Sequence, residues 1–307
     1  MNIFLTGANG YIGSSVGKLL TDKGHTIYGL VRDKAKATDI RQLGFIPVVG
    51  TLEDDELLTR YAALADGVIH TADSEHFMAV QTLLDALAGT GKLFIHTSGS
   101  SIVADDVLGD VENPQVFEEI TSYTPLEARQ AGVTINELVL EAGAGRNIRS
   151  VVIVPSMIYG DSLGLDVESV QLPCIYRKSI KTGKGVFIGR GINRWSNVHI
   201  ADVADLYLMA LERAPAGTCL FAENGEESYK DLAAYISNAL GFGGATESWN
   251  AADALAEVGG LARYGLGSNS RIKAVNARRL GWEPKGISVK DWIASNKYAK
   301  KTYNKNA

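Results

Sequence analysis

Cysteine, histidine and long apolar runs are all scarce in this 307-residue chain. The two cysteines, Cys174 and Cys219, lie far apart and form no metal-ligand spacing, which suits a reducing compartment. The five histidines show no ligand spacing either, so we expect no metal site. No apolar stretch approaches the length of a membrane span, and the first predicted strand directly follows Asn2, so we expect neither a membrane partner nor a signal peptide. These absences predict a cytoplasmic protein.

Excess positive charge is absent as well. The chain has 30 lysine and arginine residues against 35 aspartate and glutamate residues, a net charge of −5, and no basic stripe. This balance argues against nucleic acid as a partner. The composition, 46% hydrophobic and 21% charged, is that of a globular protein, and the length suits one large domain or two interleaved ones.

Three glycines follow the first apolar run. Residues 1–13 read MNIFLTGANGYIG, in which Gly7, Gly10 and Gly13 separate a short strand from a helical pattern over Ser14–Lys23. In such a unit the first glycine permits a tight turn, the second lets the backbone approach a pyrophosphate, and the third lets the helix pack close to the strand. The free N–H groups and positive dipole at the helix start hold the anion. The segment therefore predicts a dinucleotide-binding loop.

Strand and helix patterns alternate over the first half of the chain. The predicted strands are Ile3–Thr6, Thr26–Val31, Phe45–Val48, Gly67–His70, Leu93–Thr97 and Ser150–Val154. The predicted helices are Ser14–Lys23, Lys34–Leu43, Asp54–Leu64, Phe77–Gly89 and Ala128–Ala142. This alternation is typical of the α/β class and predicts a Rossmann-type doubly wound parallel sheet, with the ligand beyond the carboxyl ends of the strands.

The alternation stops near residue 156, where glycine and mixed polar residues begin to dominate. A helix over Ala201–Arg213 and a strand over Thr218–Ala222 return to the earlier pattern. We therefore expect a smaller, discontinuous α/β substrate domain, and a cleft between the domains as the site for a small-molecule substrate. The predicted division is a dinucleotide-binding Rossmann domain over residues 1–160 plus 192–224, and a substrate-binding domain over residues 161–191 plus 225–307.

The end of the second strand bears on the cofactor. A carboxylate at the strand tip would bind the adenosine ribose and select NAD(H), but here the tip is Val31 followed by Arg32. Arginine can pair with a 2′-phosphate and stack on adenine, and Lys36 adds positive potential nearby. Leu52, after the third strand, falls where an adenine pocket would form. We expect NADP(H) as the preferred cofactor; NAD(H) remains possible if Arg32 is a solvated charge and Asp33 serves the ribose.

Several motifs together resemble the short-chain dehydrogenase/reductase superfamily, and within it the extended or atypical branch called the NAD-dependent epimerase/dehydratase family. The motifs are TGANGYIG (6–13), VIHTA (68–72), FIHTSG (94–99), VPSMIYG (154–160), WSNVHIADVADLY (195–207) and RRLGWEP (278–284). They cover nearly the whole chain. Through these motifs the resemblance implies a set of cofactor-binding residues: Thr6, Gly7, Asn9, Gly10, Tyr11, Ile12, Gly13, Thr71, Ala72, Thr97, Pro155 and Ile158.

The catalytic pair of that family is missing here. The family uses a tyrosine and a lysine one helical turn apart, the lysine binding the nicotinamide ribose and making the tyrosine a better acid. None of the 12 tyrosines of this chain has a lysine four residues later. If Glu137 matches the glutamate that usually follows the pair, Arg129 and Val133 stand at the tyrosine and lysine positions. We therefore expect a non-standard proton donor.

Five residues are candidates for the missing chemistry. Tyr159 lies in the segment that should line the nicotinamide, although it can equally be a packing aromatic. His96 ends a strand and titrates near neutrality, but strand alternation can turn it into the sheet–helix interface. Tyr123 can fold over the substrate from its loop. Ser98 and Ser100 flank the glycine found at the position of the family's catalytic serine, and either can donate to a carbonyl.

Three functions are compatible with these observations. The first is an NADP(H)-dependent oxidoreductase, a reductase of a carbonyl or related small molecule. The second is a sugar-nucleotide epimerase or dehydratase, whose diphosphate Arg190, Arg194 and Arg271 would clamp if they are not simply surface ion pairs. The third is a non-catalytic NADP(H)-binding sensor, for which the cleft over the nicotinamide would be filled or collapsed. The resemblance also implies a possible homodimer through the helices Phe77–Gly89 and Ala128–Ala142.

Overall fold

The computed structural model describes residues 1–118 and 123–295. Its strands are β1 (Asn2–Thr6), β2 (Thr26–Val31), β3 (Ile46–Val49), β4 (Gly67–His70), β5 (Leu93–Thr97), β6 (Arg149–Pro155), β7 (Met157–Tyr159), β8 (Gly185–Ile188), β9 (Arg194–His199), β10 (Thr218–Ala222), β11 (Glu226–Ser228) and β12 (Thr246–Trp249). Its α-helices are α1 (Tyr11–Asp22), α2 (Lys34–Arg41), α3 (Asp55–Leu64), α4 (Phe77–Leu87), α5 (Gln130–Gly145), α6 (Gln171–Thr182), α7 (Ile200–Arg213), α8 (Tyr229–Ala239), α9 (Ala251–Val258), α10 (Val275–Arg279) and α11 (Val289–Ala294).

Seven strands form one parallel sheet in the order β10-β6-β5-β4-β1-β2-β3. The direction of winding reverses between β1 and β4, where Ile3 pairs with Gly67 and Thr6 with His70. Because the carboxyl ends of parallel strands meet at one edge, the reversal opens a crevice beyond β1 and β4. The predicted α/β class and doubly wound parallel sheet are confirmed.

Helices bury both faces of this sheet. Alternation along β1 sends Ile3 and Leu5 into the core cluster that contains Val16 of α1, and Phe4 into the opposite cluster with Leu83 of α4. All five side chains are fully buried. The edge of the sheet beyond β1 and β4 is therefore carried on a rigid, two-sided core.

The smaller region has its own sheets and its own core. Strands β11, β9 and β7 form a three-stranded sheet, and β12 pairs with β8. A third cluster, which includes Tyr176, Ile236 and Trp249, packs among α6, α8 and β12. The division into domains at the residues given above stays a prediction.

Several helix ends differ from the sequence expectation, most of all in α1 and α5. Helix α1 begins at Tyr11 rather than Ser14, because Gly10 is already its N-cap residue. Helix α5 begins at Gln130, after a 3₁₀ turn over Glu127–Arg129, and continues to Gly145. Periodicity identifies such helices but does not locate their ends, which depend on caps and tertiary contacts. Among the described residues, no helix has both the length and the apolar character needed to span a membrane.

Candidate active site

The glycine loop forms a cradle at the start of α1. Gly7 has φ +69°, a conformation that favours glycine. A Cβ on Gly7 would lie 2.7 Å from the Thr71 carbonyl carbon, and a Cβ on Gly13 would lie 2.2 Å from the Gly7 carbonyl oxygen. Gly10 caps α1 without any side-chain hydrogen bond, and the first turn carries no acidic residue. The first amides of α1 are thus left for an anion, which is the fit that a dinucleotide pyrophosphate requires.

One lobe of the cleft lies beside the ends of β2 and β4. This cavity has a volume of about 630 Å³. Among the residues predicted to bind the cofactor, it is lined by Gly7, Asn9, Gly10, Arg32, Leu52, Thr71 and Ala72. Thr71 ties β4 to β1, because its hydroxyl donates to the Thr6 carbonyl oxygen at 2.7 Å. The shape and position of this lobe suit an adenosine.

The lobe has both positively and negatively charged residues in or beside its wall. Arg32 is exposed on the wall of the cavity and has no ion pair among the described residues. Asp33 is committed to α2, since its carboxylate accepts a hydrogen bond from the Lys36 amide at 2.9 Å. Glu53 and His76 also line the lobe, with 3.5 Å between His76 Nε2 and the Glu53 carboxylate. The cationic residue after β2 therefore lines the cavity, while the neighbouring carboxylate caps a helix.

The second lobe opens beyond β5 and β6 and has a volume of about 420 Å³. It shares Gly10 and Thr71 with the first lobe, so the two form one cleft over the start of α1. Several residues singled out from the sequence line it, namely Tyr11, Ile12, Ser98, Ser100, Pro155 and Ile158. Its far wall comes from the smaller region and includes Val170, Gln171, Trp195, Leu261, Tyr264 and Gly265. The exposed wall is mainly apolar, so the lobe suits a small molecule with few polar groups.

Two serine hydroxyls are oriented in this lobe by buried donors. Ser98 Oγ accepts a hydrogen bond from Asn136 Nδ2 at 2.9 Å, and Ser100 Oγ accepts one from Trp195 Nε1 at 3.2 Å. A serine hydroxyl carries one hydrogen and two acceptor positions. Because each oxygen already accepts from the protein, each hydroxyl hydrogen is available to an acceptor in the cavity. The predicted serines are therefore arranged as a pair of donors.

The structure corrects the expected orientation of Tyr159. Its side chain is fully buried in the core of the smaller region, and its hydroxyl donates to the Ile287 carbonyl oxygen at 2.7 Å. The ring packs between His199 and Trp292. Burial, with nearby carboxylates, raises the pKa of Tyr159 well above its ordinary value. Alternation along β7 is the reason, because Ile158 faces the cleft and Tyr159 faces the opposite way.

His96 is also turned away from the cleft. Alternation along β5 buries its ring, which stacks on His70 with 5.6 Å between centroids. Burial holds the pKa of His96 well below its ordinary value, so the ring is neutral and not available as an acid. Thr6 and Thr97, both predicted to bind the cofactor, are buried beside these strand ends and bond to His70 Nδ1 and the Tyr207 hydroxyl, at 2.8 and 2.5 Å.

Two further candidates lie outside the cavity walls. The Tyr123 hydroxyl donates to the Ile102 carbonyl oxygen at 3.1 Å, and burial raises the pKa of Tyr123 to about 12. Tyr123 therefore braces a loop and does not face the substrate lobe. Lys36 is exposed on α2, where its ammonium group lies 3.6 Å from the Asp39 carboxylate. Its side chain contributes to the potential near Arg32 but not to the lining of the adenosine lobe.

The positions expected for the family's catalytic pair hold residues of a different kind. Val133 is buried in the core under α5. Arg129, just before α5, places its guanidinium 4.5 Å from the ring centroid of Tyr264 and 3.7 Å from the Glu75 carboxylate. An arginine thus lies beside the substrate lobe, at the position that the register on Glu137 assigns to the family's tyrosine.

Two of the three arginines predicted to clamp a diphosphate have side chains that pair with carboxylates. Glu226 accepts from Arg194 Nε and Arg271 Nε, each at 2.7 Å, and Glu112 lies at the edge of the same cluster. The backbone amide of Arg190 donates to Asp110. None of these three arginines lines the substrate lobe. The Arg194 and Arg271 side chains pair with carboxylates, whereas Arg190 is held by its backbone amide.

Sequence reasoning missed four residues that shape the substrate lobe: Asn136, Trp195, Tyr264 and the side chain of Arg129. Asn136 lies one residue before Glu137 in α5, and its polarity on the buried face of that helix is the signal that the sequence offers. Trp195 and Tyr264 reach the cavity from distant parts of the chain. No local pattern identifies such contacts, because they depend on how the smaller region packs on the sheet.

Known proteins that resemble this chain include nicotinamide-dependent enzymes, in agreement with the dinucleotide-binding cradle described above. A model of the NAD dependent epimerase/dehydratase family matches residues 3–219. The chain is 31% identical over 328 residues to Oxidase ucsJ from an Acremonium species, covering 92% of this chain and 93% of that protein. It is 27% identical over 241 residues to 4-hydroxy-2-methyl-3-oxo-4-farnesyl-3,4-dihydroquinoline-1-oxide ketoreductase from Stigmatella aurantiaca, covering 73% of this chain and 69% of that protein.

Solved structures share the fold at low sequence identity. The structure of dTDP-glucose 4,6-dehydratase from Bacillus anthracis, in complex with NAD, superimposes with a TM-score of 0.76 and 18% identity. The match covers 99% of this chain and 98% of that one. At this identity the likeness concerns the fold.

Proposed function

Because this chain belongs to the NAD dependent epimerase/dehydratase family, we propose that it is an NADP(H)-dependent reductase acting on the carbonyl group of a small, largely apolar molecule. The family consists of nicotinamide-dependent enzymes, so an oxidoreductase is the general class. The substrate and the choice of NADP(H) are the parts that we propose.

One observation carries the proposal. A phosphate-binding cradle opens directly into a mainly apolar lobe in which Ser98 and Ser100 present two oriented hydroxyl donors. When bound, the cofactor supplies a hydride. Gly7, Gly10 and Gly13 would hold its pyrophosphate, with its nicotinamide end directed toward the substrate lobe. A carbonyl oxygen in that lobe accepts from the serines, which polarises the carbonyl and stabilises the negative charge that develops on the oxygen.

Arg32 supports NADP(H). Its guanidinium is exposed at the adenosine lobe without an ion pair among the described residues, and it can form a charge-assisted fork with a 2′-phosphate. Asp33, which would favour a ribose hydroxyl, accepts from the Lys36 amide instead. The name of one relative fits the same chemistry, since a ketoreductase reduces a ketone.

The other two functions have less support. A sugar nucleotide needs cations for its diphosphate, but Arg194 and Arg271 are paired with Glu226. Epimerisation also needs a base beside the nicotinamide, and Val133 stands where the family's lysine is expected. A sensor without catalysis would not need a substrate lobe, whereas this chain keeps one of about 420 Å³ with oriented donors.

Cofactor choice is tested by titrating the protein with NADPH and with NADH and following cofactor fluorescence. We expect tighter binding of NADPH, and we expect Arg32→Ala to weaken NADPH binding by about 10- to 100-fold while leaving NADH binding within about twofold, because a hydrogen bond to a charged group contributes roughly 1.5–3 kcal/mol. Arg41→Ala, at the far end of α2, is the matched control and should change neither value. Equal affinities for both cofactors would refute the NADP(H) assignment.

Reductase activity is tested by following NADPH oxidation with a panel of aliphatic and aromatic aldehydes and ketones. We expect turnover of apolar ketones, and a loss of about 10- to 100-fold in kcat/KM when Ser98 and Ser100 are both replaced by alanine. Tight NADPH binding with no turnover of any carbonyl compound would contradict the proposed reaction and favour a sensor.

A further inference from the structure

Tyr264 has an unusual position in the substrate lobe. Its half-buried side chain lines the same cavity as Ser98 and Ser100. Within residues 1–118 and 123–295, its hydroxyl makes no hydrogen bond. The other tyrosine of this lobe, Tyr11, differs because its hydroxyl donates to the Gly160 carbonyl oxygen at 2.8 Å. Of these two tyrosines in the lining of the lobe, Tyr264 is therefore the one whose hydroxyl proton is available to a substrate.

Two guanidinium groups lie against the Tyr264 ring. The Arg129 guanidinium carbon is 4.5 Å from the ring centroid, and that of Arg263 is 5.7 Å away. Carboxylates orient both arginines, since Glu75 lies 3.7 Å from Arg129 and Asp106 accepts from Arg263 Nε at 2.7 Å. Cations held over an aromatic ring attract its electrons and stabilise negative charge that develops on its oxygen.

Tyr264 lies in a π-helical turn that is held by side-chain hydrogen bonds. Ala262–Leu266 form a π-helical turn, a rare conformation that occurs frequently at functional sites. The Gly265 carbonyl oxygen accepts from Gln171 Nε2 at 3.0 Å and also from the Tyr229 hydroxyl. These contacts fix the segment against the floor of the smaller region, so the phenol has a defined position in the cavity.

We propose that Tyr264 is the proton donor of this reductase and that Arg129 is its positioning residue. The inference rests on the proposed function and names the acid that it lacks. The carbonyl carbon accepts the hydride of NADPH, and the carbonyl π bond breaks as the carbonyl oxygen takes the Tyr264 hydroxyl proton. The carbonyl compound is reduced to an alcohol, the cofactor is oxidised to NADP⁺, and a proton from water restores the phenol.

Arg129 and Tyr264 together provide a phenol and a cation in place of the family's tyrosine and lysine. Arg129 stands where the register on Glu137 places the family's tyrosine, and its guanidinium carbon lies 4.5 Å from the centroid of the Tyr264 ring. A phenol and a neighbouring cation are thus both present, but the phenol comes from the smaller region. This arrangement performs proton donation without a tyrosine and lysine on one helix.

The test compares Tyr264→Phe with Tyr235→Phe, a control in the same region whose hydroxyl is 3.5 Å from Glu227 and away from the cleft. With the ketone that the wild type reduces fastest, we expect Tyr264→Phe to lower kcat by about 100-fold or more, as for loss of a general acid. NADPH affinity, measured by cofactor fluorescence, should stay within about twofold. Tyr235→Phe should retain the wild-type kcat. A Tyr264→Phe kcat above about a third of the wild-type value, or a change confined to KM, would overturn the proposal.

Arg129 is tested by a graded pair of substitutions. Arg129→Lys keeps the charge but loses the planar stack, and Arg129→Gln loses the charge, so kcat should fall from wild type through Arg129→Lys to Arg129→Gln, with KM within about threefold. A purely structural arginine would instead lower thermal stability in both variants without this order.

A readout that does not depend on turnover uses protein labelled at the tyrosine ring carbon that bears the hydroxyl. The resonance that disappears in Tyr264→Phe should shift when NADP⁺ and acetophenone are added together, because the hydroxyl then donates to a carbonyl. If that resonance does not move although the wild type reduces ketones, Tyr264 is not the donor. If NADPH binds but no carbonyl compound is reduced, the proposed function fails instead, and the two failures are distinguishable.

Discussion

The two glycines at the start of α1, Gly10 and Gly13, differ in the space around them, and we expect Gly13→Ala to destabilise the cofactor loop. The added methyl carbon would lie 2.2 Å from the Gly7 carbonyl oxygen and 2.6 Å from Thr71 Oγ1. The Gly7 oxygen has little room to move, because the Gly10 amide donates to it at 2.9 Å. Gly7 directly follows β1 and Thr71 directly follows β4, and both line the cleft, so the strain falls on the cofactor site itself.

The expected cost follows from this overlap. Overpacking of a rigid site lowers the free energy of unfolding by about 1–3 kcal/mol. Because one of the atoms that the new methyl group meets is backbone, we expect Gly13→Ala to fall at the upper end of that range. Gly10→Ala is the contrast, because its Cβ meets only the Gly7 oxygen at 3.2 Å and its φ of −83° is open to alanine. Gly10→Ala should leave the free energy of unfolding within about 0.5 kcal/mol but weaken NADPH binding by about tenfold or more, because the methyl group occupies the approach of the pyrophosphate.

Urea unfolding followed by circular dichroism gives the stability, and cofactor fluorescence gives the affinity. Gly145→Ala, with open space around its Cβ at the end of α5, is the control and should be neutral or stabilising by up to about 1 kcal/mol. The reasoning is refuted if Gly13→Ala unfolds at the wild-type urea concentration, or if Gly10→Ala binds NADPH as tightly as the wild type.

Two other predictions concern buried polar groups. Burial lowers the pKa of His70 to about 4 from 6.5 and holds the pKa of His96 well below its ordinary value. Below about pH 6.5 the unfolded chain therefore binds more protons than the folded chain, and the free energy of unfolding should fall between pH 6.5 and 4, by roughly 3 kcal/mol for His70. His96→Leu should flatten this pH dependence in urea unfolding; an unchanged slope would contradict it. Buried Asp202 accepts hydrogen bonds from the amides of Lys285 and Gly286 at 2.7 and 3.0 Å, so Asp202→Ala should lower the free energy of unfolding by about 3 kcal/mol. A variant that unfolds at the same urea concentration as the wild type would contradict this expectation.

The cofactor loop and the parallel sheet could be predicted from local sequence alone. The glycine spacing and the alternation of strand and helix patterns carry their own physical requirements, because the turn, the anion site and the parallel sheet all arise from residues that are near neighbours in sequence. Arg32 was identified for the same reason, since it directly follows β2. Each of these features is determined within a few residues of the chain.

The substrate lobe was decided by tertiary structure. Tyr159 and His96 stood in the right segments, but alternation along β7 and β5 points their side chains into cores, and burial keeps one phenol protonated and one imidazole neutral. Ser98 became a directed donor only because Asn136 packs against it, and Tyr264 came to the cavity from a segment more than a hundred residues beyond Arg129. Periodicity and spacing describe what a residue's own element requires, whereas a site between two packed regions is set by contacts that join elements distant in sequence.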